Sequence, residues 1–156
     1  MSLLRTMRAI RQLEEQIELP EDVASELGLT ERTVRRAYLI APASNEVPEM
    51  PCFMNWPDTG EEYRLGPTRE DRLTVQIDFL CYGPNVDLAA EIAVAFFDAT
   101  WKAFDQERAY DRRLKNTVSY LTLRGERPML ESIAWGGRAY FGFHVFLDLV
   151  LLEETE

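Results

Sequence analysis

The sequence has very few of the residues that build metal centres and redox sites. It contains one histidine, His144, and two cysteines, Cys52 and Cys81, with 28 residues between them. Zinc sites use close pairs such as C-x-x-C or H-x-x-x-H, so these three residues predict no metal centre. The N-terminus runs directly into a charged amphipathic pattern rather than a signal peptide, so we expect two free thiols in a reducing cytoplasm.

Long apolar runs and an excess of basic residues are also missing. No run of about 18 apolar residues occurs, which excludes a membrane-spanning helix. The 17 lysines and arginines are outnumbered by 27 aspartates and glutamates, which gives a net charge of -10. Such a charge repels phosphate backbones and argues against a sequence-independent nucleic-acid binder. At 156 residues the chain fits one domain, residues 1–156, with a core of its own.

Sequence motifs of the common enzyme classes are absent as well. The chain has no phosphate-binding or dinucleotide-binding glycine motif, no H-E-x-x-H and no G-x-S-x-G. His144 lies on a strand-like face near Asp148, an arrangement in which a carboxylate could orient a general base. Such a histidine more often forms hydrogen bonds within a packed face. We therefore predict no catalytic, metal-binding or cofactor-binding residues, no cofactor, and a protein that is not an enzyme.

Apolar spacing predicts two principal helices and a short one. The first runs from residue 2 to about Glu18, and the short helix Pro20–Leu27 ends at Gly28. The long helix, from about residue 87 to 106, is apolar around most of its circumference, so it needs cover on more than one side. Core packing can supply that cover, or an adjacent subunit can. In the second case its aromatic positions are subunit-interface residues, namely Phe97, Trp101 and Phe104.

Alternating apolar residues predict about five strands. They are Pro51–Trp56, Leu73–Cys81, Thr117–Arg124, and a closing hairpin of Met129–Trp135 and Arg138–Leu152. A polar connection, residues 57–72, separates the first two. One face of the last strand is apolar and the other is mixed, as expected of a strand that touches something on both sides. The mixed face adds three residues to the candidate subunit interface, namely Tyr140, His144 and Phe146.

These elements predict an α+β fold, with a mainly antiparallel sheet and the two principal helices packed on it. The segment Thr33–Ile40 allows two interpretations. It alternates as a strand does, but it also fits the second helix of a helix-turn-helix over residues 21–39, with Thr30 as the N-cap. A DNA-binding regulator is then the alternative function. Its DNA-contacting residues would be Arg32, Thr33, Arg35 and Arg36.

The order of the elements resembles that of a known family of virion proteins. The residues that carry the resemblance are Pro51–Phe53, the segment Arg72–Tyr82 before the long helix, and Ser132–Leu152, where Tyr140-Phe141-Gly142 is followed by alternating apolar residues. In this order the chain resembles the tail terminator, or tail completion, proteins of long-tailed bacteriophages. These are small α+β proteins that form a hexameric ring on the end of the tail tube.

The resemblance implies a structural protein of the tail-neck region of the virion, present in the host cytoplasm during assembly. It would form a homohexameric ring, end polymerisation of the tail tube protein, and offer a joining surface to the head-side connector protein. DNA would pass through the ring without specific binding, and no membrane is involved. Residues at the tube, the connector or the lumen would be Asp58, Glu61, Glu62, Arg64 and Arg69. A head-side adaptor or completion protein of the same neck is a further alternative, and it would more often be mainly helical.

Overall fold

The computed structural model describes residues 2–42, 49–58, 63–65, 68–81, 86–109, 114–125, 131–135 and 138–152. Within these ranges the chain forms three helices and seven strands. The helices are α1 (Ser2–Gln16), α2 (Glu21–Glu26) and α3 (Val86–Ala109). The strands are β1 (Arg36–Tyr38), β2 (Cys52–Asp58), β3 (Tyr63–Leu65), β4 (Thr68–Cys81), β5 (Val118–Gly125), β6 (Glu131–Trp135) and β7 (Arg138–Leu151).

Two long antiparallel strands, β4 and β7, form the centre of the sheet. They pair from Asp71 opposite Leu151 to Cys81 opposite Phe141. Beyond β4 lie β2 and then β1, the latter in parallel with β2. On the far edge of β7, β5 pairs with its C-terminal part and β6 with its N-terminal part, both antiparallel. β3 folds back on the first residues of β4 as a hairpin.

The α+β class, the mostly antiparallel sheet and the closing hairpin are confirmed. The strand count is larger than predicted, since six strands form the main sheet and β3 makes a seventh at its side. The polar connection predicted over residues 57–72 is wrong in part, because it contains the end of β2, all of β3 and the start of β4. These polar residues adopt strand conformation because their backbones pair with neighbouring strands. They show little apolar alternation, so the sequence pattern did not predict the strands. Among the described helices, none combines the length and hydropathy needed to cross a membrane.

The helix-turn-helix interpretation of residues 21–39 is wrong. After α2, Gly28 adopts a φ of +69°. The amides of Gly28 and Leu29 donate to the carbonyls of Ser25 and Ala24, the Schellman arrangement that ends a helix. No second helix follows, because Arg36 to Tyr38 pair with Cys52 to Met54 of β2. The strand interpretation of this segment is the correct one.

All three helices pack on one face of the sheet, here called the inner face. The alternate residues of β4 that point to the inner face are at most 2% exposed, namely Leu73, Val75, Ile77, Phe79 and Cys81. Phe79 stacks on Phe96 of α3 at 4.8 Å and on Phe143 of β7 at 5.0 Å between ring centroids. Burial of side chains of this size stabilises the fold by about 1.5–3 kcal/mol each.

The two cysteines lie on opposite faces of the sheet and are both free and buried. Cys81 belongs to the inner-face core, whereas Cys52, opposite Leu80, lies in a smaller cluster on the other face. Consecutive strand residues point to opposite faces. Cys52 shares the face of Leu80, so its sulfur atom lies on the opposite side of the sheet from that of Cys81. Burial raises the pKa of each thiol to about 12. The prediction of two free thiols is confirmed.

A carboxyl group is buried between α1 and the sheet. Glu14 and Asn55 are both fully buried. The side-chain amide of Asn55 donates to Glu14 Oε1 at 2.6 Å and to the carbonyl of Tyr38 at 2.9 Å. Burial raises the pKa of Glu14 from 4.5 to about 8, although the hydrogen bond from Asn55 acts in the opposite direction. Glu14 is therefore protonated at neutral pH and links α1 to the β1–β2 edge of the sheet.

We predict that the Glu14 proton makes stability fall with rising pH. The native carboxyl holds its proton up to about pH 8, whereas the unfolded chain releases it near 4.5. Its stabilising contribution is therefore complete below 4.5 and is lost as the pH rises to 8. Urea unfolding should show a loss of about 2–4 kcal/mol between pH 5 and pH 8 that Glu14→Gln largely abolishes. Glu15→Gln, on the exposed side of α1, is the control, and a parallel pH profile for Glu14→Gln would contradict this account.

A second prediction concerns Gly142 in the centre of the sheet. A Cβ atom there would lie 1.7 Å from the carbonyl oxygen of Phe79, which is backbone and cannot move aside. Gly142→Ala should therefore lower the free energy of unfolding by about 3 kcal/mol or prevent folding. At Gly125 the nearest atom is Trp101 Cζ3 at 3.8 Å, an ordinary contact. Gly125→Ala is the matched control in thermal unfolding, and equal effects of the two changes would contradict the assigned register.

Candidate functional site

The face of the sheet opposite the helices, here called the outer face, carries the polar and aromatic side chains of the central strands. Alternate residues of β4, β7 and β5 place their side chains there, while their neighbours fill the inner-face core. No buried helical residue belongs to the small apolar cluster on the outer face. The outer face is therefore the broad surface that the described helices leave uncovered.

Asp78 is the centre of a hydrogen-bond network on the outer face. It is only 5% exposed. Its Oδ2 accepts from Trp56 Nε1 at 2.8 Å, and its Oδ1 accepts from Gln76 Nε2 at 2.9 Å and lies 2.5 Å from His144 Nδ1. A carboxylate only accepts, so this geometry assigns the proton of the ring to Nδ1. The network is built across strands, because Asp78 lies opposite His144 on β7 and Met54 on β2.

A second network lies four residues further along the same strands, where Thr74 is opposite Asp148. Thr74 Oγ1 donates to Asp148 Oδ1 at 2.9 Å, and Arg124 donates to the two carboxylate oxygens at 2.5 and 3.3 Å. Partial burial acts to raise the pKa of Asp148, but the hydrogen bonds from Arg124 and Thr74 and the charge of Arg124 lower it overall. The Arg124 guanidinium also lies 4.9 Å from the centre of the Phe146 ring. The Arg124 and Phe146 side chains thus hold each other in place.

Large apolar side chains remain exposed around these networks. Trp56 is 41% exposed and Tyr120 is 53% exposed. The Trp56 ring is fixed by its bond to Asp78 and by an edge contact with Trp135 at 5.9 Å between ring centroids. A shallow cleft of about 570 Å³ lies beside Tyr120, bordered by Arg72, Thr74 and Asp148. Fixed aromatic rings beside satisfied polar groups are typical of protein–protein contact surfaces.

Asp148, the carboxylate near His144 in sequence, is not the one that contacts the imidazole. Asp148 pairs with Thr74 and Arg124, and the carboxylate beside His144 is Asp78 of the neighbouring strand. The network holds the imidazole and the Trp56 indole in fixed orientations at the surface. In the described part of the chain, no group of three or more His, Cys, Asp or Glu side chains could hold a metal ion.

Two of the six predicted interface residues are buried inside the subunit. Phe104 is 0% exposed and belongs to the inner-face core, and Tyr140 is 6% exposed in the small outer-face cluster. Because the subunit itself buries these two rings, they are not available to contact a neighbouring subunit. Phe97 and Trp101 are half-buried against the core and stack on each other at 5.8 Å. His144 and Phe146 do lie on the outer face, and an interface role for them stays a prediction.

The described residues among those predicted to meet the tube, the connector or the lumen lie in β3 and β4 or at the end of β2. Asp58 is exposed at the end of β2. Arg64 of β3 and Arg69 of β4 are opposite each other in the register. Glu61 and Glu62 lie outside the described residues. The backbone therefore gathers the described members of this set at one corner of the sheet, and their roles stay predictions.

The four residues of the alternative DNA-binding set are dispersed by the strand conformation. Arg32 Nε donates to the carbonyl of Leu19 at 2.7 Å, and its guanidinium lies 3.3 Å from Glu18. Arg36 lies over the Tyr38 ring at 4.5 Å. Thr33 is half-buried, whereas Arg35 is exposed. These residues do not form the single helical face that a recognition helix would present.

Sequence reasoning missed Trp56, Asp78 and Arg124 as members of this surface. Strand alternation puts Asp78 and Gln76 on the face opposite Leu73, but their partners come from β2 and β7, and cross-strand register leaves no local signal in the sequence. Comparison of the chain with protein-family models, with curated proteins and with solved structures found no match.

We predict that the Asp78 network stabilises the subunit more than the Asp148 network does. Asp78→Asn places an amide where three donors converge, so at least one buried donor loses its acceptor at a cost of about 1–3 kcal/mol. Asp148→Asn affects a more exposed pair and should cost about 1 kcal/mol or less. Urea unfolding monitored by tryptophan fluorescence measures both. Equal losses in the two variants would contradict a central role for Asp78.

Proposed function

We propose that this protein is a structural virion protein that assembles into a homo-oligomeric ring and caps the phage tail tube as a tail terminator. The ring would end tube polymerisation and present the joining surface to the head-side connector. The proposal combines the resemblance in element order with one structural observation. That observation is the outer face of the sheet, whose fixed aromatic and polar side chains the described helices leave uncovered.

The size of this surface supports a partner of protein dimensions rather than a small molecule. Its two exposed rings are far apart in the sheet. Trp56 is opposite Gln76 of β4, and Tyr120 is opposite Val150 of β7. The cleft beside Tyr120 is shallow and bordered by charged groups, unlike the enclosed apolar pockets that hold ligands. An extended surface of this kind suits a neighbouring subunit or another virion protein.

The content of secondary structure favours a terminator over a head-side adaptor. An adaptor is expected to be mainly helical, whereas here six strands form the main sheet. In a closed ring every subunit uses two different surfaces, one for each neighbour. The outer face is one candidate surface, and the half-buried Phe97 and Trp101 of α3 belong to a second.

The acidity of the chain is compatible with a ring through which DNA passes. A net charge of -10 opposes binding of the phosphate backbone to the walls of a channel. We place Asp58 and its sequence neighbours Glu61, Glu62, Arg64 and Arg69 at the lumen or at the tube and connector ends. The joining partners would then be the tail tube protein and the connector protein.

A charged substitution on the outer face should disrupt the ring. Tyr120→Lys introduces a charge at a position that is already 53% exposed, so the subunit itself should fold normally. If the outer face is a subunit contact, sedimentation velocity should show a shift from ring to smaller species. Leu4→Lys, at a 46% exposed position near the start of α1, is the matched control. Rings that persist unchanged in Tyr120→Lys would contradict the assignment of this face to assembly.

A further inference from the structure

A cleft lined by arginines lies at the β1 edge of the sheet, on the side of β1 away from β2. Its volume is about 450 Å³, and it is bordered by the end of α1 and by residues 34–40. We call it the arginine cleft and define it by Arg11, Arg35 and Arg36. The carboxylate of Glu15 and the 57% exposed side chain of Ile40 also border it.

The arginine cleft is a local positive site on an acidic protein. Arg36 is held over the Tyr38 ring at 4.5 Å and is 3.9 Å from Glu49, and Arg11 is 3.8 Å from Glu15. Arg35 is exposed and forms no ion pair within the described part of the chain. Guanidinium groups bind carboxylates through paired hydrogen bonds, so an acidic peptide segment is the chemistry that fits this cleft.

The chain itself contains such a segment directly after β7. Residues 152–156 read Leu-Glu-Glu-Thr-Glu. Leu152 is 40% exposed, which gives the segment an apolar residue next to its acids. In the cleft, Ile40 offers an exposed apolar side chain beside the arginines. The two surfaces therefore match in both charge and apolar character.

The register of the sheet keeps this segment out of reach of Arg35 and Arg36 in its own subunit. Arg36 lies opposite Cys52, Cys52 opposite Leu80, and Leu80 opposite Gly142, nine residues before Leu151. Three strand spacings and nine residues along β7 separate the two sites by about 33 Å. Five residues of extended chain span at most about 17 Å, and the two side chains together add roughly 10 Å. The acids can therefore meet Arg35 and Arg36 only on another molecule.

We propose that the arginine cleft binds the acidic segment 153–156 of a second copy of this chain. The contact joins two different surfaces, so it is head-to-tail and leads to a closed ring when the rotation between copies closes. It rests on the proposed function and deepens it by naming one pair of surfaces that meet. Exposed ion pairs are individually weak and are screened by salt, so the contact sets the orientation of neighbouring subunits and is salt-sensitive.

A charge-swap experiment on the full-length chain tests this contact. Arg35→Glu in the cleft and Glu153→Lys with Glu154→Lys in the segment should each weaken self-association at least fivefold at low salt. The triple variant that carries both changes should recover most of the loss. Sedimentation equilibrium measures the association constants, and Arg8→Glu on the exposed side of α1 is the control, with no expected effect. Failure of the triple variant to recover association would overturn the pairing.

A fluorescent peptide of residues 150–156 separates this inference from the proposed function. Its anisotropy should rise on adding the unmodified protein, and the rise should be reduced by Arg35→Glu and by high salt. Rings that form normally in every charge variant, without peptide binding, would overturn the inference and leave the proposed function standing. Peptide binding without ring formation would support the contact but contradict the proposed ring. Preferential binding of a short DNA duplex, lost in Arg35→Glu, would overturn the inference in favour of nucleic acid.

Discussion

The antiparallel pairing of β4 with β7 is the interaction on which the rest of the structure depends. It runs unbroken from Asp71 and Leu151 to Cys81 and Phe141. Its inner face supplies the apolar side chains against which α1 and α3 pack, and its outer face brings Asp78 beside His144 and Thr74 beside Asp148. Because the side chains of a strand alternate between faces, a shift of one residue would bury the charges and expose the core. In this register the backbone of Phe79 approaches Gly142 so closely that a Cβ atom there would clash with its carbonyl oxygen.

The sequence predicted well those elements that a single apolar pattern determines. The alternation in β4 and β7 and the helical spacing in α1 and α3 follow from burial of one face, so they can be read locally. β1 could not be predicted with the same certainty, because its three residues become a strand only by pairing with β2. β3 and the start of β4 are polar, and their pairing was not visible for the same reason. Phe104 looked available for a partner because the sequence does not tell which side of an apolar helix the core will cover.

The candidate site was predictable only in part. His144 and Phe146 were identified as outer-face residues from the alternation of β7. Their partners Asp78 and Arg124 are 66 and 22 residues away in sequence, and only the register of β7 with β4 and β5 brings them together. Cross-strand polar pairs carry no local sequence signal. Arg35 and Arg36 of the cleft show the same limit, since a helix-turn-helix and a helix followed by an edge strand use these two residues differently.

The subunit has one sheet face covered by its helices, a second face that the described helices leave uncovered, and an arginine cleft at the β1 edge. Such a subunit is suited to contacts with unlike surfaces of its neighbours, and ring formation is the central claim. Electron microscopy of the unmodified protein in negative stain, with native mass by light scattering on the same samples, tests it most directly. The account predicts closed rings of one size whose mass is a whole multiple of the 18.1 kDa chain, six copies by the family resemblance. A monomer at every concentration and salt condition would contradict it.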